Sequence, residues 1–116
     1  MNLFSPLPAP ANEEQINPLL ETGNLRIEQI VSNGNASPPG FWYDQETEEW
    51  VTLLRGSAAL KFENGGLIEM TAGDCLLIQP HARHRLERTS PDAVWLAVHH
   101  FPGHETAPPK APPPGG

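Results

Sequence analysis

Residues 50–78 read WVTLLRGSAALKFENGGLIEMTAGDCLLI, and the punctuation of this stretch decides the fold. Trp50-Val51-Thr52-Leu53-Leu54 is the most strand-like run in the chain, and Gly56 ends it. Residues 57–63 follow, with Ala58, Leu60 and Phe62 on one face of a period-two pattern. Asn64-Gly65-Gly66 then supplies residues that accept positive φ, the mark of a hairpin. Leu67-Ile68-Glu69-Met70 returns and Thr71-Ala72-Gly73-Asp74 turns again. Cys75-Leu76-Leu77-Ile78 is a continuous apolar run, which predicts a strand buried on both faces.

The pattern continues outward in both directions. Upstream, Leu25-Arg26-Ile27-Glu28-Gln29-Ile30-Val31 alternates in part and stops at the turn formers Ser32-Asn33-Gly34-Asn35. Pro38-Pro39-Gly40 forces a further break, and Phe41-Trp42-Tyr43 reads as a short aromatic strand. Downstream, residues 85–88 and 94–100 complete the set. Only residues 12–20, NEEQINPLL, hint at a helix, and Pro18 interrupts it. Short strands with turn signals between them predict an all-β sandwich or barrel.

The ends differ from the middle. Pro6, Pro8 and Pro10 make residues 1–17 an expected extended N-terminal arm. Residues 18–103 form the expected barrel domain. Five of the 14 prolines fall after Thr106, and with no apolar anchor there residues 104–116 are expected to be a disordered tail. The formal charge of −7 argues against a nucleic-acid partner. No run of 18 apolar residues exists, which argues against a membrane span. The start of the chain lacks the basic and apolar regions of a secretory signal, and Cys75 has no partner for a disulfide, so a cytoplasmic location is expected. Cys75 itself reads as a small buried hydrophobe.

Two groups of residues carry chemistry. Alternation puts Glu49 on the face of Val51 and Leu53, where a carboxylate needs a metal, a cation or hydrogen-bond donors. Asp44, Glu46 and Glu48 precede it in a polar link, and Glu46 reads as solvated. In His81-Ala82-Arg83-His84 two imidazoles stand three residues apart after an apolar strand, a spacing open to a divalent metal. His99 and His100 end the last strand on opposite faces, so at most one points inward. His104 is expected to be inert. Arg83, Arg85 and Arg88 read as balancing the acidic surface.

Order and spacing here resemble the cupin superfamily of jelly-roll barrels, over roughly residues 25–100. Glu49 followed after six residues by Gly56 matches the second half of the first cupin motif, G-x5-H-x-H-x(3,4)-E-x6-G. Gly73 opens GDCLLIQPHARH, and His84 falls at the histidine of the second motif, G-x5-P-x-G-x2-H-x3-N. Trp42 and Asp44 stand where the first motif has its histidines; Gln79, His81 and Arg88 replace the proline, glycine and asparagine of the second. The resemblance implies a double-stranded β-helix and metal-ligand roles for Glu49 and His84, extended to Asp44 if a carboxylate replaces imidazole. His81 and His99 are added from the residue reading. The expected cofactor is one divalent ion of Zn, Fe, Mn or Ni, sharing the barrel with a small polar ligand. The resemblance implies dioxygenase, isomerase or decarboxylase chemistry; the alternative is a non-catalytic ligand-binding or sensor module with a degraded metal site. Trp50, Thr52 and Leu54 lie on the face opposite Glu49, which leads to the expectation of a homodimer.

Overall fold

The computed structural model describes residues 2–9 and 11–101. Among them there are eight strands and no helix: β1 (Gln15–Glu21), β2 (Leu25–Ser32), β3 (Glu48–Arg55), β4 (Ser57–Phe62), β5 (Leu67–Thr71), β6 (Cys75–Ile78), β7 (His84–Thr89) and β8 (Ala93–His100). They form a five-stranded sheet, β1-β2-β8-β3-β6, facing a three-stranded sheet, β5-β4-β7. All strand pairings are antiparallel. The chain changes sheet between β3 and β4 at Gly56, whose φ is +88°. A Cβ there would collide with Ser90 Oγ and lie 2.9 Å from Asp92 Oδ1 and 3.0 Å from the Ala93 backbone, so backbone conformation and space both favour glycine. Gly56 therefore ends β3 for a reason deeper than weak strand propensity.

Between the sheets, Leu53, Ala58, Leu60, Met70, Ile78, Leu86 and Trp95 form one apolar cluster. The expected alternation on β3 holds: Glu49, Val51 and Leu53 are buried on its inner face. On the outer face a row of apolar side chains crosses the whole larger sheet, Leu20–Ile27–Val98–Trp50–Leu77, each paired with the next by register. The N-terminal segment covers a neighbouring part of that face. Gln29 donates to the Leu3 carbonyl at 2.6 Å, and the Arg55 guanidinium lies 5.3 Å from the Phe4 ring.

Several expectations need correction. Residues 15–21 are strand, not helix, because pairing with β2 satisfies their backbone. Pro18 is tolerated since β1 is a sheet edge, and a register shift lies between Pro18 and Leu20. The boundary expected between residues 17 and 18 thus falls inside β1. Phe41-Trp42-Tyr43 is not a strand; only Tyr43 makes a bridge, to His84. β6 is an edge strand, so Cys75, Leu76 and Leu77 are only half-buried and Ile78 alone is buried. The tail at 104–116, with His104, lies outside the described residues.

Candidate functional site in the barrel

Strand alternation carries polar groups to one end of the barrel interior. Along β3 the inner face runs Glu49, Val51, Leu53, and along β8 it runs His99, Ala97, Trp95, with Glu49 opposite His99 in register. β7 adds His84 above Leu86, and β2 adds Glu28 beside Ile30. These side chains, with Glu14, Tyr43 and Gln45 from the flanking segments, surround a cavity of about 60 Å³. That is room for a few waters or the polar end of a small molecule. The cavity shares Glu14, Ile16, Tyr43 and Leu86 with a wider groove of about 530 Å³, whose outer wall includes Glu13, Ser37 and Phe41.

His84 is held from three sides. Its backbone exchanges hydrogen bonds with Tyr43 at 2.7 and 3.2 Å, and its ring stacks between Tyr43 and Phe62 at centroid distances of 5.4 and 5.5 Å. Its Nδ1 lies 2.8 Å from the Ala82 carbonyl. A carbonyl can only accept, so Nδ1 carries the proton and Nε2 presents a lone pair to the cavity. Burial pushes the His84 pKa down, which the Ala82 bond opposes, and the ring is therefore neutral. Glu49 Oε1 stands 4.0 Å from that Nε2, and Glu49 makes no hydrogen bond among the described residues. Burial, then the charges of Glu28 and Glu14, push the Glu49 pKa up to about 7, against a smaller pull from Arg26.

Around this pair the other groups are engaged. His99 Nδ1 meets Thr47 Oγ1 at 2.8 Å and its Nε2 meets Glu28 Oε1 at 3.1 Å. Glu28 also lies 2.8 Å from Arg26 Nε. Burial lowers the His99 pKa, against the pull of Glu28. Glu14 accepts from Ser32 at 2.8 Å and from Tyr43 at 3.1 Å, yet burial still raises its pKa. Desolvation and the Glu14 charge push the Tyr43 phenol upward in turn.

The five residues expected to ligate a metal are not brought together. Glu49, His84 and His99 converge, with side-chain exposures of 9%, 7% and 2%. Asp44 and His81 pair with each other instead, 2.7 Å apart, outside the cavity lining and 47% and 64% exposed. His81 has φ +62°, the left-handed conformation that the motif glycine would adopt there, and its N–H donates to the Gln45 carbonyl at 2.7 Å. These two contacts tie the His81 loop to the Asp44–Gln45 segment. With Asp44 outside and both His99 nitrogens engaged, the donor set left for an ion is Glu49 and His84 Nε2. Among the described residues no group of three or more His, Cys, Asp or Glu is placed to hold a metal ion, so these residues do not fit the expected shell.

Glu14, Glu28, Tyr43, Gln45 and Thr47 were not among the candidates from sequence. For Glu28 a signal existed: it shares a strand face with Ile30, the same argument that singled out Glu49. For Glu14 none existed, because only folding brings it to Ser32 and Tyr43.

A family model described as the cupin domain matches residues 28–99. The chain belongs to the cupin family. Among solved structures, this cupin is 46% identical to a protein of Ralstonia eutropha JMP134 named as a candidate mannose-6-phosphate isomerase. That match covers 87% of this chain and 96% of the other, with a TM-score of 0.83. A cupin superfamily protein of Desulfitobacterium hafniense DCB-2 is 16% identical, with 82% and 84% covered and a TM-score of 0.69. An RmlC-like cupin of Methanocaldococcus jannaschii with a double-stranded β-helix fold is 15% identical, with 83% and 86% covered and a TM-score of 0.63. The latter two show the fold alone. No curated protein matches the sequence.

Proposed function

We propose that this cupin binds a small hydroxylated molecule in its barrel and isomerises it by proton transfer between neighbouring carbons. The observation that carries the reading is the Glu49–His84 pair, 4.0 Å apart across the cavity, both nearly fully buried, each with a group that has no hydrogen-bond partner. A carboxyl poised near pH 7 suits a general acid–base, because it is available in both states at working pH. The name borne by the 46% identical relative belongs to the same reaction class. In an aldose, ionised Glu49 takes the proton from C2 and returns it to C1. Neutral His84 Nε2 takes the hydroxyl proton from O2 and passes it to O1. Protons and electrons balance, and the product is the ketose. The 60 Å³ cavity receives the reacting end and the adjoining groove the remainder.

The test is exchange in D2O. Wild type, after exhaustive chelation, should incorporate deuterium at C2 of D-mannose or D-mannose 6-phosphate well above the buffer rate. Glu49→Gln should reduce this by about 100-fold or more. No exchange with either compound overturns the reading. Exchange that disappears on chelation and returns with added metal would restore the expected metal role of Glu49 and His84.

A further inference from the structure

We propose that the molecule held in the barrel carries a protonated amine and no phosphate, because the Glu49 carboxylate and His84 Nε2 face each other uncommitted across the cavity and no lysine or arginine lines it. This rests on the preceding reading that the barrel takes a small hydroxylated molecule, and it narrows the class of that molecule.

Apart from the Gln45 amide, the donors facing the cavity are engaged within the protein. The Tyr43 hydroxyl donates to Glu14 at 3.1 Å and the Trp95 indole to Ser32 at 3.2 Å. His84 uses its Nδ1 proton on Ala82, and both His99 nitrogens are occupied, by Thr47 and Glu28. Two groups that can only accept remain, the Glu49 carboxylate and His84 Nε2, beside the Gln45 amide, whose Oε1 is buried with no partner among the described residues. Glu49 is 7% exposed and His84 5%, so only what enters the cavity can satisfy them. An uncompensated buried acceptor costs roughly 1–3 kcal/mol. Polar groups of this kind are paired in folded proteins, and a ligand that supplies donors recovers the cost. A hydroxyl offers one hydrogen. An ammonium offers three and a positive charge, matched to two facing acceptors 4.0 Å apart.

Charge points the same way. Glu14, Glu28 and Glu49 line the cavity, and Arg26, whose charge acts on Glu49, is paired with Glu28. In the outer groove the charged lining residues are Glu13 and Glu14. A phosphate in the cavity would meet carboxylates with no cation in the lining, which is costly in a desolvated site, and beside the outer groove the Arg85 guanidinium is held on the Ser37 and Pro38 carbonyls. The substrate class that fits is an unphosphorylated amino sugar, unlike the phosphorylated sugar in the relative's name.

A matched series of one carbon chain tests this by calorimetric titration of the full-length protein at pH 8 and constant ionic strength. 1-Amino-1-deoxy-D-mannitol, D-mannitol and D-mannitol 1-phosphate are cation, neutral and anion. The amine should bind at least tenfold more tightly than mannitol, and the phosphate at least tenfold more weakly. Glu49→Gln, folded by circular dichroism, should bring amine and mannitol to within threefold of each other. Glu28→Gln provides a second variant; it should leave mannitol binding in place and weaken the amine. If either variant does not fold, the wild-type ranking decides. Equal affinity for amine and mannitol, or tightest binding of the phosphate, overturns the inference and leaves the barrel-binding reading intact. Failure of all three to bind at millimolar concentration overturns both. Binding in the expected order without deuterium exchange overturns only the isomerase step.

Discussion

β3 carries Leu53 at one end of the barrel and Glu49 at the other, and β8 carries Trp95 and His99 at the matching ends. Leu53, which is fully buried, belongs to one apolar cluster with Ala58, Leu60, Met70 and Trp95. Around Glu49, His99 of β8, Glu28 of β2 and His84 of β7 face a cavity. One end of the sheet sandwich lowers free energy by removing apolar surface from water. The other raises it by burying a carboxyl whose pKa moves to about 7. The two ends share a backbone, so the stability of one supports the strain of the other, and substitutions at the two ends should have opposite signs.

Leu53→Ala gives the largest expected effect. It leaves a void where no side chain can relax into solvent, and the cost should be about 2–5 kcal/mol in denaturant unfolding. A loss under about 1 kcal/mol would mean that the apolar end is not the stabilising one.

Glu49→Gln should do the reverse. The folded protein holds the Glu49 proton up to about pH 7, against a usual value of 4.5. Between those values the folded state binds more protons than the unfolded state, so the contribution of Glu49 to stability falls as pH rises, and it stays low above pH 7. The full span corresponds to no more than about 3 kcal/mol. Neutral His84 and His99 act oppositely: their lowered pKa values mean stability is lost as pH falls below their usual 6.5. The difference between Glu49→Gln and wild type isolates the carboxyl. It should be near zero at pH 4 and favour the variant by about 1–3 kcal/mol at pH 8. A difference that does not change with pH would disprove the perturbed carboxyl.

His81→Gly should be nearly neutral, within about 1 kcal/mol, because relief of the left-handed backbone offsets the loss of an exposed pair with Asp44. His81→Val should cost about 1–3 kcal/mol. Neither should alter ligand binding by more than about twofold, which a metal-ligand role for His81 would contradict. The smallest expected change in stability accompanies Trp50→Glu on the half-open outer row. Its readout is mass: light scattering at tens of micromolar should give a dimer for wild type and a monomer for the variant. A monomeric wild type overturns the expectation of a homodimer.

How much could be read without the structure depended on the range of the interaction. The turns at Asn64-Gly65-Gly66 and Gly73-Asp74, the alternation of Glu49 with Val51 and Leu53, and the placement of His84 are local or motif-borne, and they sufficed for the all-β cupin barrel and for two members of its site. The strand at residues 15–21 was not legible, because what makes it a strand is the unpaired edge of β2. The division of the histidines was not legible either. His81 and His84 are three residues apart and equally eligible by spacing, yet a left-handed backbone turns one to the surface while the Tyr43 bridge and the Ala82 bond turn the other inward. Sequence by itself determined which residues alternate onto an inner face. Only the tertiary structure decided that Glu14, Glu28 and Glu49 share one enclosed space with so few free donors, because burial and the allocation of hydrogen bonds are properties of pairs distant in the chain.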